Sequence, residues 1–438
     1  MTFLRFPKIL GLAIGAALLA LGAGCSSIPG ADTLATMREN APPTDNTPVF
    51  DGVGPTTMSD QTFVPRVKLP AKDPHAFSIG VVLPTDEKHL AIARSLKQGL
   101  AMAVAEVNAA GGINGQPIQL DIVDNVPGAL PALRDHGEAV ILVGDASLAI
   151  AAAPQLADYP QLVGFLCDYV SVPKLTPTNG VRIYLNGDQE ARAMESYIET
   201  AGINRVSIVY TNNLLGQSHQ QYMLYLASAN HSVAAVGESY SPEENNFTLL
   251  AKAMYHSNND ALILAGNGVE YPRILAAFDA AGWNGTVFGY AGESGLAPLV
   301  NSSELALTAN YPLPEFASNP RSTEASRAFA DKHHVQYGED PSLPAAYAYD
   351  NIRVLAAAAA QAASSDPKKI RESFIALRNY VGAAGRYEIK DDGDTEMPLR
   401  LWRANGQPAP EAPKAAPLPA PGDLQKLPLS NFPAPGQP

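Results

Sequence analysis

The chain is predicted to fold as an α/β protein of two lobes, each a parallel sheet covered by helices. Three observations predict this: apolar runs of strand length, segments of helical period between them, and two successive series of that alternation. FSIGVVLP (77–84) has the length of a buried strand. The segment from about Lys88 to Asn108 then places Ile92, Leu96, Leu100, Val104 and Val107 at helical spacing. IQLDIVD (118–124), AVILVG (139–144), the helix-like SLAIAAAPQLA and the strand-like QLVGFLC (161–167) complete the first series. The second opens at RVSIVYT (205–211) and runs through a helix at 214–229, the strand HSVAAVGESY and a helix at 245–256. It closes with ALILAG (261–266), a helix at 270–282 and TVFGYAG (286–292). Strands alternating with helices give parallel sheets, because each crossover helix lands on a sheet face. From about Ser322 to Ala376 the chain reads as mostly helical, and GRYEIKDDGDTEMPLRLWR as a closing hairpin turning at Asp391–Asp394.

The stretch AEVNAAGGINGQPIQLDIVDN (105–125) is the corner between the first helix and the second strand. Gly111 and Gly112 supply the positive φ that ends a helix, and Asn114–Gly115 supplies a second tight turn before Pro117. Ile113, apolar between the two turns, is expected to plug the sheet edge. A phosphate-binding glycine loop lies between a strand and the start of a helix. The order here is the reverse, which excludes a nucleotide-binding reading of these glycines.

Both ends of the chain differ from this body. Residues 1–8 carry two positive charges, and the apolar run ILGLAIGAALLALGAG follows to Gly24. That layout is a signal peptide over 1–24, since about 16 apolar residues fall short of the roughly 20 needed to span a bilayer. LGAGC resembles the lipobox of bacterial lipoproteins, with Gly22 where the usual Leu stands and Leu21 one place further off. The resemblance implies cleavage before Cys25 and a lipid on its thiol, and Ser26 in the next position implies the outer membrane. The other reading is an ordinary secreted protein with a chance cysteine. Residues 25–75 read as a flexible tether of roughly 40 Å root-mean-square span, and 407–438 as an extended Pro/Ala-rich disordered tail. Cys167 is the one other cysteine, so a lipidated product forms no internal disulfide. A net charge of −13 with no basic cluster after the leader argues against nucleic acid as a partner.

Several of these segments carry one resemblance. IGVVLPTD with LKQGLAMAVAEVNAAGGINGQPIQLDIVDN resembles the opening of type I periplasmic binding proteins of the branched-chain amino-acid-binding group. RVSIVYTNNLLGQ, DALILAGNGVEYPRILAAFDAAGWNGTVFG, AAYAYDNIRVLAAAA and GRYEIKDDGD are similar to later pieces of that family, in the same order, over roughly 76–406. The resemblance implies a clamp of two discontinuous Rossmann-like lobes joined by three crossover segments, near 186–190, 308–314 and 378–386. Lobe 1 would hold 76–187 and 312–380, and lobe 2 would hold 188–311 and 381–406. A small-molecule ligand would sit between the lobes, outside the carboxyl ends of the strands.

Candidate contacts therefore lie in the loops after strands. Where the family has Ser-Gly-Pro in its first loop, this chain has Pro84–Thr85–Asp86–Glu87–Lys88–His89. Asp145–Ala146–Ser147 stands where the family places hydroxyl residues that bind a ligand carboxylate. Ser147 at a helix start can hold an anion or act as a plain N-cap, and Asp145 disfavours a carboxylate. Asp168 can pair with a ligand ammonium and Tyr169 can form an aromatic wall, or the two can be a turn acid and a half-buried ring. Leu215 replaces the aromatic residue that the family frequently has before the glycine here, Gly216. Asn267 can reach the cleft, and Glu293 lies near an acidic position that some amino-acid binders use for the α-ammonium. Tyr347 and Tyr349 read as core.

No catalytic constellation is visible. GESGL (292–296) lacks the spacing of a nucleophile elbow, and His333–His334 are adjacent and read as solvated. Asp391–Asp394 offer too few ligand positions for a calcium loop. No metal site or cofactor is implied. The expected function is capture of an amino-acid-like or amide-like solute by a lipid-anchored binding protein serving a membrane transporter (permease). Two alternatives are an outer-membrane regulator or scaffold of cell-wall synthesis with the same fold, and a clamp adapted to a larger or less polar ligand.

Overall fold

In a computed structural model, residues 67–168, 179–229, 234–256, 259–266, 268–283, 285–290, 307–310, 322–397, 399 and 401–403 are described. All lie in one compact unit, Phe63–Pro438. Their α/β architecture is the expected one: two sheets of mainly parallel strands, each with a hydrophobic core on both faces.

The first sheet has the order β2-β1-β3-β4-β5, from Ile118–Asp124, Phe77–Leu83, Val140–Val143, Leu162–Phe165 and Gly180–Arg182, with every pairing parallel. Every residue of β1 is buried, as an unbroken apolar run between two helical layers requires. The second sheet has the order β14-β10-β9-β8-β6-β7. Its strands are Leu401–Arg403 (β14), Leu307–Asn310 (β10), Thr286–Gly289 (β9), Ala261–Ala265 (β8), Arg205–Thr211 (β6) and Ala234–Tyr240 (β7). Only β14 runs antiparallel to its neighbour. A small antiparallel sheet, Asn379–Val381 (β11), Arg386–Ile389 (β12) and Thr395–Glu396 (β13), contains the hairpin expected around Asp391–Asp394.

The helices, in chain order, are α1 (Leu90–Ala109), α2 (Ala129–His136), α3 (Ala146–Leu156), α4 (Gly187–Thr200), α5 (Leu214–Ala229), α6 (Thr248–His256), α7 (Tyr271–Ala280), α8 (Glu324–Tyr337), α9 (Leu343–Ala362) and α10 (Pro367–Ala376). α1 and α9 form the most extensive helix pair of the first lobe. Gly99 allows their close approach, since a Cβ there would stand 2.0 Å from the Ala345 carbonyl oxygen. The predicted corner is present: Gly112, at φ 75°, donates its N–H to Val107 O, and Ile113 is 2% exposed in the core. A Cβ on Gly112 would meet Gln116 O at 2.0 Å, so glycine is required twice over. Elements α2, β5 and α4 were not expected. α2 is eight residues long, too short for its period to emerge, and is bounded by left-handed Gly128 and Gly137.

Buried acids tie distant segments of the chain together. Asp350 of α9 accepts from Ala383 N (2.7 Å), Ala384 N (2.9 Å) and the Tyr387 hydroxyl (2.6 Å). Burial pushes its carboxyl up to about 6 against those hydrogen bonds. Asp394, in the closing hairpin, accepts from Arg182 Nε (2.8 Å) and Asn186 Nδ2 (2.8 Å). Gln189 Nε2 donates to Thr395 O at 2.6 Å, and Gln189 Oε1 accepts from Met397 N at 3.1 Å. The start of α4 is thereby stitched to the last segment of the chain. No helix among the described residues is long and apolar enough to cross a membrane.

Candidate functional site

The carboxyl end of β4 leads into Leu166, Cys167 and Asp168, facing the start of α4 and the first two turns of α5. Asp168 and His219 are each 0% exposed, with His219 Nε2 3.6 Å from Asp168 Oδ2, too long for a hydrogen bond. Neither carboxylate oxygen of Asp168 and neither imidazole nitrogen of His219 has a hydrogen-bond partner among the described residues. The His219 ring stacks on Tyr290, at the carboxyl end of β9, with centroids 3.8 Å apart and planes 6° apart. Gly187 closes the third side: a Cβ there would lie 2.6 Å from His219 Nε2 and 3.0 Å from Asp168 Oδ1. One turn further along α4, Glu190 is also 0% exposed.

This cluster draws on both lobes and on the segment between them. Its field is negative. Burial pushes the hydroxyls of Tyr290 and Tyr347 well above the ordinary tyrosine range, and the nearby Glu190 and Asp168 push the same way. Both tyrosines therefore remain protonated and able to donate. A buried carboxylate without hydrogen bonds carries a desolvation cost of several kcal/mol. Native proteins retain such groups where they have a use. The arrangement can accept hydrogen bonds from an ammonium or amide at Asp168 and offer the flat His219–Tyr290 stack to a neighbouring apolar group.

Leu215, one turn before His219, is 1% exposed and joins the first-lobe cluster containing Val143, Ala146, Ala149, Phe165 and Cys167. An apolar side chain of α5 thus crosses to seal the margin beside α3. Where the family frequently has an aromatic ring, this chain has a lobe-to-lobe contact.

The structure sorts the other predicted residues. Asp145, rather than Ser147, caps α3, accepting from Leu148 N at 2.7 Å through Oδ1 and from Asn125 Nδ2 at 3.3 Å through Oδ2. Its carboxylate occupies the helix N-terminus that an anionic ligand would need. Ala146 is buried and Ser147 half-buried on the first turn. Tyr169, Asn267, Glu293 and Cys25 lie outside the described residues. His89 pairs with Asp86. Tyr347 and Tyr349 are core residues, 1% and 8% exposed. The expectation that His333 is solvated is corrected: it is 1% exposed, its Nδ1 2.9 Å from Glu339 O, while His334 remains on the surface beside Asp340. Helix periodicity at α8 separates the two, because adjacent residues point about 100° apart. Sequence reasoning missed Glu190, His219 and Tyr290. Tyr290 directly follows a strand and was findable by the same rule that singled out Glu293; His219 lies inside a helix, where no loop rule applies.

A sequence model of the family described as periplasmic binding protein matches residues 76–408. A Leu/Ile/Val-binding protein, BraC3, of Rhizobium johnstonii is 25% identical over 279 residues, covering 55% of this chain and 75% of that protein. An amino acid binding protein of Pseudomonas aeruginosa is 23% identical over 336 residues, covering 73% and 87%. In fold, the chain is similar to the leucine binding protein LivK of Thermotoga maritima, with a TM-score of 0.65, 20% identity and coverage of 77% of this chain and 98% of the other. A solute binding protein of R. palustris in complex with benzoate gives a TM-score of 0.62 at 14% identity, covering 76% and 95%. With two sheets of mainly parallel strands and a family match over residues 76–408, this chain belongs to the periplasmic binding protein family.

Proposed function

We propose that this extracytoplasmic binding protein closes its lobes on an amino-acid-like or amide-like solute and delivers it to a membrane transporter (permease). The observation that carries the reading is Asp168: a fully buried carboxylate with neither oxygen hydrogen-bonded among the described residues. A solute ammonium or amide would supply the donors, each charge-assisted hydrogen bond contributing about 1.5–3 kcal/mol. Glu190 adds negative potential, and the His219–Tyr290 stack would lie against the side chain of the solute. The relatives support this class, since a Streptococcus pneumoniae LivJ structure is described in complex with isoleucine. Tyr169, Asn267 and Glu293 are proposed as further contacts, with the lobes divided near 187, 311 and 380. Cys25 is proposed as the lipid attachment point, with the outer membrane as its site because of Ser26.

A second reading is favoured by Leu215, which gives the cleft margin an apolar seal in place of an aromatic contact. It is a clamp for a less polar ligand, such as an aromatic carboxylate. Thermal-shift screening of the mature chain against amino acids, amides, sugars, aromatic carboxylates and lipids tests both. A cognate solute at a hundredfold excess over Kd stabilises the folded state by about 2.7 kcal/mol, a shift of several degrees. A shift with aromatic carboxylates alone replaces the first reading by the second. Absence of a shift in every class contradicts both, and co-purification with a cell-wall synthase would then support the scaffold role.

A further inference from the structure

Toward the amino end of the first sheet, away from the cleft, three ligand-type side chains converge from separate segments. Asp121 comes from β2, His136 from the last turn of α2, and Glu138 from the turn before β3. One ligand atom of each lies within 4.8 Å of the other two. The Asp121 and Glu138 side chains are 2% and 0% exposed, and that of His136 is 18% exposed.

The imidazole is oriented. His136 Nε2 lies 3.1 Å from Pro70 O, a pure acceptor, so Nε2 carries a proton and donates it. The other nitrogen, Nδ1, faces the two acids, 2.6 Å from Glu138 Oε1 and 3.8 Å from Asp121 Oδ2. A histidine that donates one N–H to a backbone carbonyl and turns its other nitrogen to a cation is the usual arrangement around a bound metal. The carboxylate of Asp121 is held in the same manner, accepting from Gln119 Nε2 at 3.1 Å and 3.0 Å through its two oxygens. Glu138 Oε2, buried in the cluster, accepts no hydrogen bond. Burial pushes the Glu138 carboxyl above its ordinary range, against the pull of His136 and Ser78.

We propose that Asp121, His136 and Glu138 form a binding site for a divalent transition-metal ion, zinc by preference, with water completing a four-coordinate shell. One imidazole and two carboxylates suit zinc, and ligands about 2.0–2.1 Å from a tetrahedral ion lie about 3.4 Å from one another. The 3.8 Å separation of Nδ1 and Asp121 needs to close only slightly. The 2.6 Å contact with Glu138 opens, or passes coordination to the unpartnered Oε2. The groups supporting this shell also hold the segment entering the domain: Pro70 O accepts from His136, Asp73 N donates to Gln119 Oε1 at 2.8 Å, and Lys72 donates to Gly137 O. A metal here stiffens the attachment of residues 70–73 to the first lobe.

The test is calorimetric titration of the chelator-treated mature chain with zinc chloride, with cobalt(II) as a visible-absorption probe. One equivalent binds, and cobalt gives the intense d–d bands of a four-coordinate site. His136→Gln and Glu138→Gln each weaken zinc binding at least tenfold, whereas His334→Gln at the surface leaves it unchanged. Circular dichroism and melting of the zinc-free variants are recorded first, and the comparison uses whichever of the two retains the wild-type fold. Zinc also slows proteolysis at residues 70–73 in the wild type only. Failure to bind one equivalent overturns the proposal, as does equal binding by a folded His136→Gln or Glu138→Gln variant. In that case His136 is simply a histidine hydrogen-bonded beside two acids.

Discussion

Two buried aspartates, Asp350 under the β11–β12 turn and Asp168 at the carboxyl end of β4, differ in how their burial is compensated. Asp350 is 0% exposed and accepts from two backbone N–H groups and a tyrosine hydroxyl. Asp168 is equally buried and accepts from no donor among the described residues. Both carboxylates are removed from water. Only the first has its lost hydration replaced by protein donors, so it belongs to a finished network. On the proposed reading, the second belongs to a network that a donor-bearing solute completes. Gly382 and Gly187 repeat the contrast. A Cβ on Gly382 would stand 2.3 Å from the Asp350 carboxylate in the β11–β12 turn, while one on Gly187 would project against His219 and Asp168.

Substitutions can break that comparison, and the largest effect is expected at Asp350. Asp350→Ala leaves three buried donors unpaired and opens a gap under the 382–387 turn, costing about 3–5 kcal/mol. Thermal melting should fall by roughly 10 °C. A loss under about 1 kcal/mol would mean that the anchoring network contributes little. Gly187→Ala should act on the cleft instead, weakening solute binding at least tenfold while the melting temperature of the free protein changes by only a few degrees. Unchanged affinity would remove Gly187 from the site.

A pH titration sharpens the same contrast at smaller amplitude. The carboxyls of Asp350 and Asp188 are each pushed up to about 6 by burial from an ordinary value of 3.8. A raised folded value means that the folded state holds protons the unfolded state releases. Their contribution is fully present below about pH 4 and is lost as pH rises through about 6. Each group accounts for about 3 kcal/mol over the whole window, of which about 1 kcal/mol is lost between pH 5 and pH 7, so the unfolding free energy from denaturant titration near pH 5 should exceed that near pH 7 by about 1 kcal/mol per group. Asp188→Asn, which keeps the shape beside Arg192, should flatten part of the slope; an unchanged slope would assign it to other groups. The smallest effect is expected for Asp168→Asn without solute. Removing a buried charge that no protein donor satisfies leaves stability unchanged or slightly higher, opposite in sign to the Asp350 substitution.

The sequence carried the fold further than the site. Strands such as Phe77–Leu83 were legible because parallel strands buried on two faces are apolar runs, and the AGGINGQP corner because its backbone demands glycine. The strand-end rule reached Asp168 for the same reason. It did not reach His219, which sits inside α5 and meets Asp168 only when the lobes pack. The trio Asp121, His136 and Glu138 spans a strand, a short helix and the turn before β3, and its geometry comes from sheet packing rather than sequence spacing. Ser147 illustrates the converse error, since the residue two places earlier, Asp145, takes the cap.

The central claim is that Asp168 is buried for a ligand. Isothermal titration of the best solute from the screen into wild type and Asp168→Asn, with free-protein melting recorded for both, tests it most directly. The account predicts at least a tenfold loss of affinity with melting unchanged or slightly raised. Equal affinity in the two proteins, or a variant destabilised as severely as Asp350→Ala, would contradict it.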